Sequence, residues 1–239
     1  MKLKLKAGDN ITVQDANWSF SGKTPKNFDK HIKKSVPLYE WSHDVALKFS
    51  DFFLAEKSNI YDLGCSTGSF LKALSNKNKN KKHFYYGIDE IKEMCLIAKK
   101  KNKNNKNVKI FNKKIESVKF KKTSLITSFY TMQFINPRRR QNLFNKIFKS
   151  LNWGGALILF EKVRAPDARF QDMTTQIYID YKIGQGYSPE EILSKSKSLK
   201  GILEPFSSEA NLRMLKRAGF KDVITILKFI NFEGFLAIK

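Results

Sequence analysis

Runs of strand length alternate with segments of helical periodicity between residues 58 and 163. The five strand-like runs are rich in apolar and aromatic residues and span 58–63, 83–89, 107–115, 124–135 and 154–163. Because alternation with short connections is typical of parallel sheets with helices on both faces, it predicts a doubly wound α/β fold. Two further runs, 220–230 and 232–239, end the chain without a helix between them. We therefore expect a seven-stranded, mostly parallel sheet that ends in an antiparallel hairpin.

Two helical segments are added to this sheet, and we interpret residues 1–239 as a single domain that includes both. The first is an N-terminal extension, 1–57, and the second is an insertion, 164–207, before the last helix. The apolar face predicted for the extension consists of Leu38, Trp41, Val45, Phe49, Phe52 and Phe53. The stripes predicted for the insertion are Phe170, Met173, Ile177 and Tyr181, and then Ile192, Leu199, Ile202 and Leu203. The second stripe predicts either a dimer contact or packing onto the chain's own sheet, and both alternatives stay open.

A glycine-containing turn follows the first strand in the segment NIYDLGCSTGSF, residues 59–70. Glycines let a backbone approach a ligand closely, and the helix that follows offers free amide N–H groups at its N-terminus. A dinucleotide site has the spacing G-x-G-x-x-G. This turn instead reads D-x-G-x-S-x-G, with Asp62, Gly64, Ser66 and Gly68 at the specified positions. The carboxylate of Asp62 would repel a pyrophosphate but suits a cationic ligand.

A second acid, Asp89, ends the second strand, beside the crevice where open α/β sheets bind their ligands. A carboxylate there can accept hydrogen bonds from both hydroxyl groups of a ribose. A turn suited to a charged amino acid and an acid suited to a ribose together indicate S-adenosylmethionine (SAM). The terminal hairpin supports this ligand, since it distinguishes a methyltransferase-type sheet from a plain dinucleotide-binding one. A NAD-type site and a purely structural turn are the alternatives.

Lysine accounts for most of the formal charge of +23 and is concentrated with asparagine in 75–83 and 99–109. Such charge indicates either a nucleic-acid partner such as tRNA or a bias in composition. These two runs precede strands, so we expect them at the amino ends of the strands, away from the ligand. Three consecutive arginines, 138–140, follow the fourth strand and therefore lie on the ligand side. We expect them to be the main basic contact for tRNA or another acceptor.

Cysteine and histidine are scarce, with two and three residues respectively and no spaced Cys/His cluster. We therefore expect no metal and free thiols, and we interpret Cys65 as a small loop residue. The sequence has neither a long apolar run nor an apparent export signal. This indicates a cytoplasmic protein without a membrane partner.

Short motifs along nearly the whole chain resemble one family. In order they are WSF (18–20), SVPLY (35–39), YDLGCS (61–66), MQF (132–134), GGALIL (154–159) with EK (161–162), GYS (186–188) with EEI (190–192), AGF (218–220) and NFEGFLAIK (231–239). Together they resemble the carboxy-S-adenosylmethionine synthase family. The resemblance implies a class I methyltransferase fold, a homodimer, and formation of carboxy-SAM from SAM and prephenate. The product would serve the modification of the tRNA wobble uridine.

The resemblance also implies roles for individual residues. The matching ligand positions are Tyr39, Gly64, Cys65, Ser66 and Asp89. The departures are Glu90 for asparagine, Lys114-Ile115 for Asp-Ile beside the adenine, Phe129 for asparagine, and Ser196 for the arginine that binds the new carboxylate. Lys195 and Lys197 flank Ser196 and are the candidates to replace that arginine. The predicted SAM site consists of the matching positions together with Asp62, Gly68, Glu90, Lys114, Ile115 and Phe129. The predicted substrate site consists of Tyr39 and residues 195–197.

Three functions are compatible with these features. The first is methyl transfer from SAM to an unidentified acceptor, because that chemistry needs mainly proximity and orientation and does not require the missing arginine. The second is carboxy-SAM synthesis with a lysine in place of the arginine. Arginine offers a carboxylate two donors in one plane, which neither serine nor lysine reproduces. The third is a SAM-binding or tRNA-associated protein without turnover.

Overall fold

The computed structural model describes residues 5–22 and 24–239, so residues 1–4 and 23 of the predicted extension lie outside the described residues. Its strands are β1 (Leu5–Lys6), β2 (Thr12–Val13), β3 (Asn59–Leu63), β4 (Phe84–Asp89), β5 (Val108–Asn112), β6 (Thr123–Phe129), β7 (Leu151–Lys162), β8 (Asp222–Phe229) and β9 (Phe232–Ile238). Its helices are α1 (Thr24–Ser35), α2 (Tyr39–Ser50), α3 (Ser69–Lys77), α4 (Lys92–Lys101), α5 (Pro137–Ser150), α6 (Ala168–Gly184), α7 (Pro189–Ser198) and α8 (Ser208–Ala218). Strands β1 and β2 form a small antiparallel pair of their own.

The main sheet has seven strands in the order β5-β4-β3-β6-β7-β9-β8, which confirms the predicted fold class. Strands β3 to β7 pair in parallel, and β9 pairs antiparallel with both β7 and β8. From β3 the chain moves outward to β5 and then returns to β6 on the other side of β3. This change of direction opens a crevice at the carboxyl ends of β3 and β6, where ligands of open α/β sheets bind.

Apolar side chains cover both faces of the sheet, as a doubly wound fold requires. In β7, Leu157 and Leu159 face the side of α5 and α8, whereas Ile158 and Phe160 face the side of α2, α3 and α4. All four are fully buried. The alternation follows from the period of two in a strand, and burial on both faces explains why β7 reads as a continuous apolar run.

The predicted apolar face of α2 is wrong in part. Trp41 is 58% exposed and Phe52, just after the helix, is 79% exposed. The buried positions of α2 are instead Ser42, Ala46 and Ser50. Small residues allow a helix to pack closely, and the two serine hydroxyls are satisfied by backbone carbonyls one turn earlier. The aromatic residues at 41 and 52 therefore do not mark the face that contacts the domain.

The insertion contains two helices, α6 and α7. Two residues of its second predicted stripe pack on the N-terminal segment and not on the sheet. Leu199 and Ile202 pack against a small core of Ala7, Ile11, Val13 and Trp18 from the N-terminal segment. Backbone hydrogen bonds from Ala16 to Lys197 and from Trp18 to Ser198 attach that segment to the end of α7. On α6, by contrast, Phe170, Met173 and Ile177 are each about half exposed.

No helix within 5–22 and 24–239 combines the length and the apolar character that a membrane crossing would need.

Candidate functional site

A cavity of about 680 Å³ lies at the carboxyl ends of β3, β4 and β6 and extends to α6 and α7. This volume is within the range of small-molecule sites. The cavity brings together most residues of both predicted sites, namely Tyr39, Asp62, Gly64, Cys65, Ser66, Asp89, Glu90, Ile115, Phe129, Lys195 and Ser196. Gly68, Lys114 and Lys197 do not line it. The two predicted sites are therefore two ends of one cavity.

The glycine turn is held at the end of β4 by its own backbone. The amides of Gly64 and Cys65 both donate to the carbonyl oxygen of Ile88, at 2.8 and 3.0 Å. Gly64 has φ +75°, and a β-carbon there would lie 2.8 Å from Cβ of Thr131. Both a left-handed backbone and a lack of space therefore require glycine at this position. Gly68 has a different role, because its close neighbour is Ala98, so it allows α3 and α4 to pack together.

Asp89 is oriented by two backbone amides, one on each carboxylate oxygen. Ser66 donates to Oδ2 and Ile91 donates to Oδ1, each at 2.9 Å. Burial nevertheless raises the pKa of Asp89 above its usual value. Each oxygen keeps a further lone pair, so the carboxylate can still accept hydrogen bonds from a diol in the cavity.

Asp62 is almost fully buried at the base of the turn. Its Oδ1 accepts a hydrogen bond from the Thr127 hydroxyl at 2.9 Å, across the pairing of β3 with β6. Burial raises the pKa of Asp62 to about 7. A cation placed beside this carboxylate would lower that pKa again, so the site favours a positively charged ligand group.

Aromatic rings form the wall of the cavity beside α2. The His43 ring lies 4.6 Å from Tyr39 and 4.5 Å from Phe129, and Phe129 stacks on Phe160 with centroids 5.3 Å apart. Burial lowers the pKa of His43 to about 4, so the ring is neutral at pH 7. His43 was not among the site residues predicted from the sequence. Its position one turn after Tyr39 was the signal, because residues four apart share a helix face.

Lys195 is the flanking lysine that points into the protein. Its Nζ donates to Ser35 Oγ at 2.8 Å and to His31 Nε2 at 2.6 Å, and it lies 5.3 Å from the centre of a Trp18 ring. Lys197, two positions along α7, is exposed. The opposite orientations follow from helix geometry, since residues two apart do not share a face. Three further lysines, Lys162, Lys182 and Lys200, also line the cavity, and none of them was among the site residues predicted from the sequence.

The expectation for the three consecutive arginines is wrong for Arg140, which is only 2% exposed. Its Nε donates to the carbonyl of Ile135 at 2.8 Å and its Nη2 to that of Gln133 at 3.1 Å. The guanidinium also stacks on Phe206 at 4.4 Å. Arg140 therefore braces the loop after β6 and cannot contact a nucleic acid, whereas Arg138 and Arg139 are exposed.

Known proteins resemble this chain in sequence, and others resemble it in fold. A methyltransferase domain family matches residues 60–155. The carboxy-S-adenosyl-L-methionine synthase of Staphylococcus epidermidis is 40% identical over 223 residues, which are 93% of this chain and 97% of that protein. The synthase of Campylobacter lari is 35% identical over 94% of this chain and 96% of its own.

Solved structures show the same architecture at low sequence identity. A SAM-dependent methyltransferase from Aquifex aeolicus has a TM-score of 0.59 and 18% identity, over 90% of this chain and 97% of that one. Human N-acetylserotonin methyltransferase in complex with SAM has a TM-score of 0.63 and 15% identity, over 92% and 56% of the two chains. The fold is that of class I SAM-dependent methyltransferases.

Proposed function

Because this chain belongs to the carboxy-S-adenosyl-L-methionine synthase family, and is thus a SAM-dependent transferase, we propose that it makes carboxy-SAM from SAM and prephenate. The observation that carries the proposal is the orientation of Lys195. The absence of the arginine at position 196 was the main objection to this activity. Lys195 places a cation in the cavity next to Ser196, so the cavity retains a partner for a carboxylate.

Residues at the other end of the cavity suit the parts of SAM. Asp89 accepts hydrogen bonds from the ribose hydroxyls, and Asp62 lies near the positive charge of the methionine portion. The turn at Gly64, Cys65 and Ser66 passes beside that portion, and Tyr39 closes the cavity from α2. The neighbours of the ribose and adenine are Glu90, Ile115 and Phe129. Lys114 is outside the cavity lining, so its predicted place beside the adenine has no support from the fold.

The overall reaction joins one carboxyl group of prephenate to the methyl carbon of SAM. Prephenate loses that carboxyl group and its ring hydroxyl, its ring becomes aromatic, and it leaves as phenylpyruvate. The proton given up by the methyl group leaves with the hydroxyl as water, so the atoms balance. The protein's part is to hold both molecules in one cavity and to limit the access of water.

Methyl transfer to an unidentified acceptor, the first expectation from the sequence, is the alternative. Ser196 favours it, because a serine hydroxyl carries no charge with which to bind a new carboxylate. A homodimer, contact with tRNA and a cytoplasmic location stay predictions. The exposed apolar residues of α6 support the homodimer, and size-exclusion chromatography with light scattering would test it.

Mass spectrometry of small molecules after incubation of the protein with SAM, with and without prephenate, tests the proposal. We expect a product heavier than SAM by the mass of one CO₂, formed only with prephenate, together with phenylpyruvate. Recovery of SAM alone, or of its demethylated form S-adenosylhomocysteine, would reject carboxy-SAM synthesis. S-adenosylhomocysteine formed only with an added acceptor would support methyl transfer.

A further inference from the structure

Three lysines from separate elements converge on the end of the cavity away from the glycine turn. Lys162 ends β7, Lys182 lies in α6 and Lys195 lies in α7; we call them the lysine cluster. The Nζ atoms of Lys162 and Lys182 each lie 4.5 Å from the centre of the Tyr178 ring. The Tyr178 hydroxyl donates to the carbonyl of Ser35 at 2.6 Å, and the Ser35 hydroxyl accepts from Lys195.

The lysine cluster has no direct carboxylate partner in the part of the chain that the structure describes. Within 5–22 and 24–239, no carboxylate oxygen lies within 4.0 Å of any of the three Nζ atoms. In the same part of the chain, the Nζ atoms of Lys162 and Lys182 donate no hydrogen bond to protein, and both lie over aromatic rings. Lys182 is only 7% exposed. Burying the ammonium group of Lys182 without a carboxylate partner is unfavourable, and a bound anion would offset that cost.

The titration behaviour of the cluster agrees with this arrangement. Burial lowers the pKa of Lys162 and of Lys182 to about 8. Burial, together with repulsion by the other two lysines, lowers the pKa of Lys195 to about 7. All three pKa values therefore lie close to neutral pH. An anion bound in the cavity would raise them and keep the three ammonium groups protonated.

Lys195 is positioned by a buried chain that starts in the N-terminal segment. Asp9 Oδ2 accepts from His31 Nδ1 at 2.9 Å and from the Tyr187 hydroxyl at 2.7 Å. Burial, reinforced by the charge of Lys195, lowers the pKa of His31 to about 3, so the ring is neutral. With its proton on Nδ1, the ring accepts the Lys195 hydrogen bond at Nε2. His31 and Ser35 use two of the three ammonium donors, and one remains for a ligand.

We propose that the lysine cluster binds the two carboxylates of the carboxyl donor, a small dicarboxylate, while SAM occupies the other end of the cavity. This inference rests on the proposed function. A dicarboxylate fits because the three lysines line one cavity, whereas the phosphates of a nucleic acid cannot reach a side chain as buried as Lys182. The missing arginine is thus replaced by charges from three elements rather than by one neighbouring residue.

Isothermal titration of prephenate into protein saturated with S-adenosylhomocysteine tests the inference, since that ligand has no methyl group to react. Lys182→Met is the main variant, because it removes the charge, keeps the apolar stem and breaks no hydrogen bond to protein. Lys195→Met is the second variant, and Lys197→Met is the control from the exposed face of α7. We expect Kd for prephenate to rise about tenfold or more for the first two variants and less than about twofold for the control.

The same three variants are titrated with SAM, and circular dichroism verifies that each is folded. We expect Kd for SAM to stay within about threefold of the parent protein. Unchanged prephenate affinity in folded Lys182→Met, loss of SAM affinity in place of prephenate affinity, or no prephenate binding by the parent protein would each overturn the inference. Lysine-dependent prephenate binding without carboxy-SAM formation would uphold the dicarboxylate site and reject the proposed function. Carboxy-SAM formation that Lys182→Met leaves unchanged would uphold the proposed function and reject the dicarboxylate site.

Discussion

Arg140 offers a sharp test of what holds the cavity together, because its neighbour Arg139 is an almost perfect control. Arg140 is buried and donates to the carbonyls of Gln133 and Ile135, in the loop that lines the cavity after β6. Arg139 is exposed, and its guanidinium pairs with Glu116 at 3.5 Å. The two arginines share a helix and a charge, so they differ mainly in environment.

We expect Arg140→Met to lower the free energy of unfolding by about 3 to 4 kcal/mol. A hydrogen bond from a charged donor contributes roughly 1.5 to 3 kcal/mol, and two carbonyls would lose theirs in a site with little access to water. The stacking on Phe206 is also lost, although methionine replaces part of the volume. For Arg139→Met we expect a change of about 0 to 1 kcal/mol, as is usual for an exposed ion pair.

The pH dependence of the stability loss distinguishes removal of the Arg140 charge from a general loss of packing. Burial raises the pKa of Glu161 to about 8, although the charge of Arg140 and the amide of Met132 favour the ionised form. A folded pKa above the unfolded value means that the contribution of Glu161 to stability falls as pH rises toward about 8. Without Arg140 the folded pKa rises further, so Arg140→Met should cost more at about pH 9 than at about pH 6.

Urea unfolding at both pH values, followed by circular dichroism, measures these differences. Equal losses for the two variants, or a loss for Arg140→Met that does not grow with pH, would refute the reasoning. A fully stable Arg140→Met variant with weakened tRNA binding would instead restore the expectation from the sequence that this residue is an exposed nucleic-acid contact.

Three further predictions concern the cavity itself. Gly64→Ala should abolish SAM binding and destabilise the fold by at least about 3 kcal/mol. The control Gly154→Ala should cost only about 1 kcal/mol, because Gly154 has a similar φ of +72° but no atom within 4 Å of the new methyl group. Equal losses of stability in thermal unfolding would contradict the clash at Gly64. Asp89→Asn should weaken SAM binding by about tenfold in calorimetry, because an amide offers the ribose one acceptor oxygen instead of two, and an unchanged Kd would remove Asp89 from the site. Prephenate binding should weaken as pH rises from about 7 to about 9, because the lysine cluster then loses its protons, and a flat profile of Kd against pH would count against the cluster.

Features with a short-range cause could be predicted from the sequence. The alternation of strand and helix, the terminal hairpin and the glycine turn each depend on residues within a few positions of one another. The helix expected after the glycine turn is present as Ser69–Lys77, because its apolar residues and the glycine before it are local. Asp89 could be located in the same way, since the carboxyl ends of parallel strands meet at one edge of the sheet.

Features that depend on distant contacts could not be predicted. Arg140 and Arg139 look alike in the sequence, and only the loop and the insertion that pack against α5 decide which is buried. The face of α2 was misjudged for the same reason, since small residues fit the close packing and leave Trp41 outside.

The sequence by itself determined the strands, the mostly parallel sheet with its terminal hairpin, and the turn that suits SAM, because backbone periodicity and local turn geometry encode them. Only the tertiary structure decided which charges face the ligand. Lys195 and Lys197 flank the same serine, yet the partners that hold Lys195 inward, His31 and Ser35, lie 164 and 160 positions away. Lys162, at the end of β7, joins it through Tyr178, which lies on α6 one turn before Lys182. A cluster assembled from such distant parts has no local pattern, because its geometry exists only once the chain is folded.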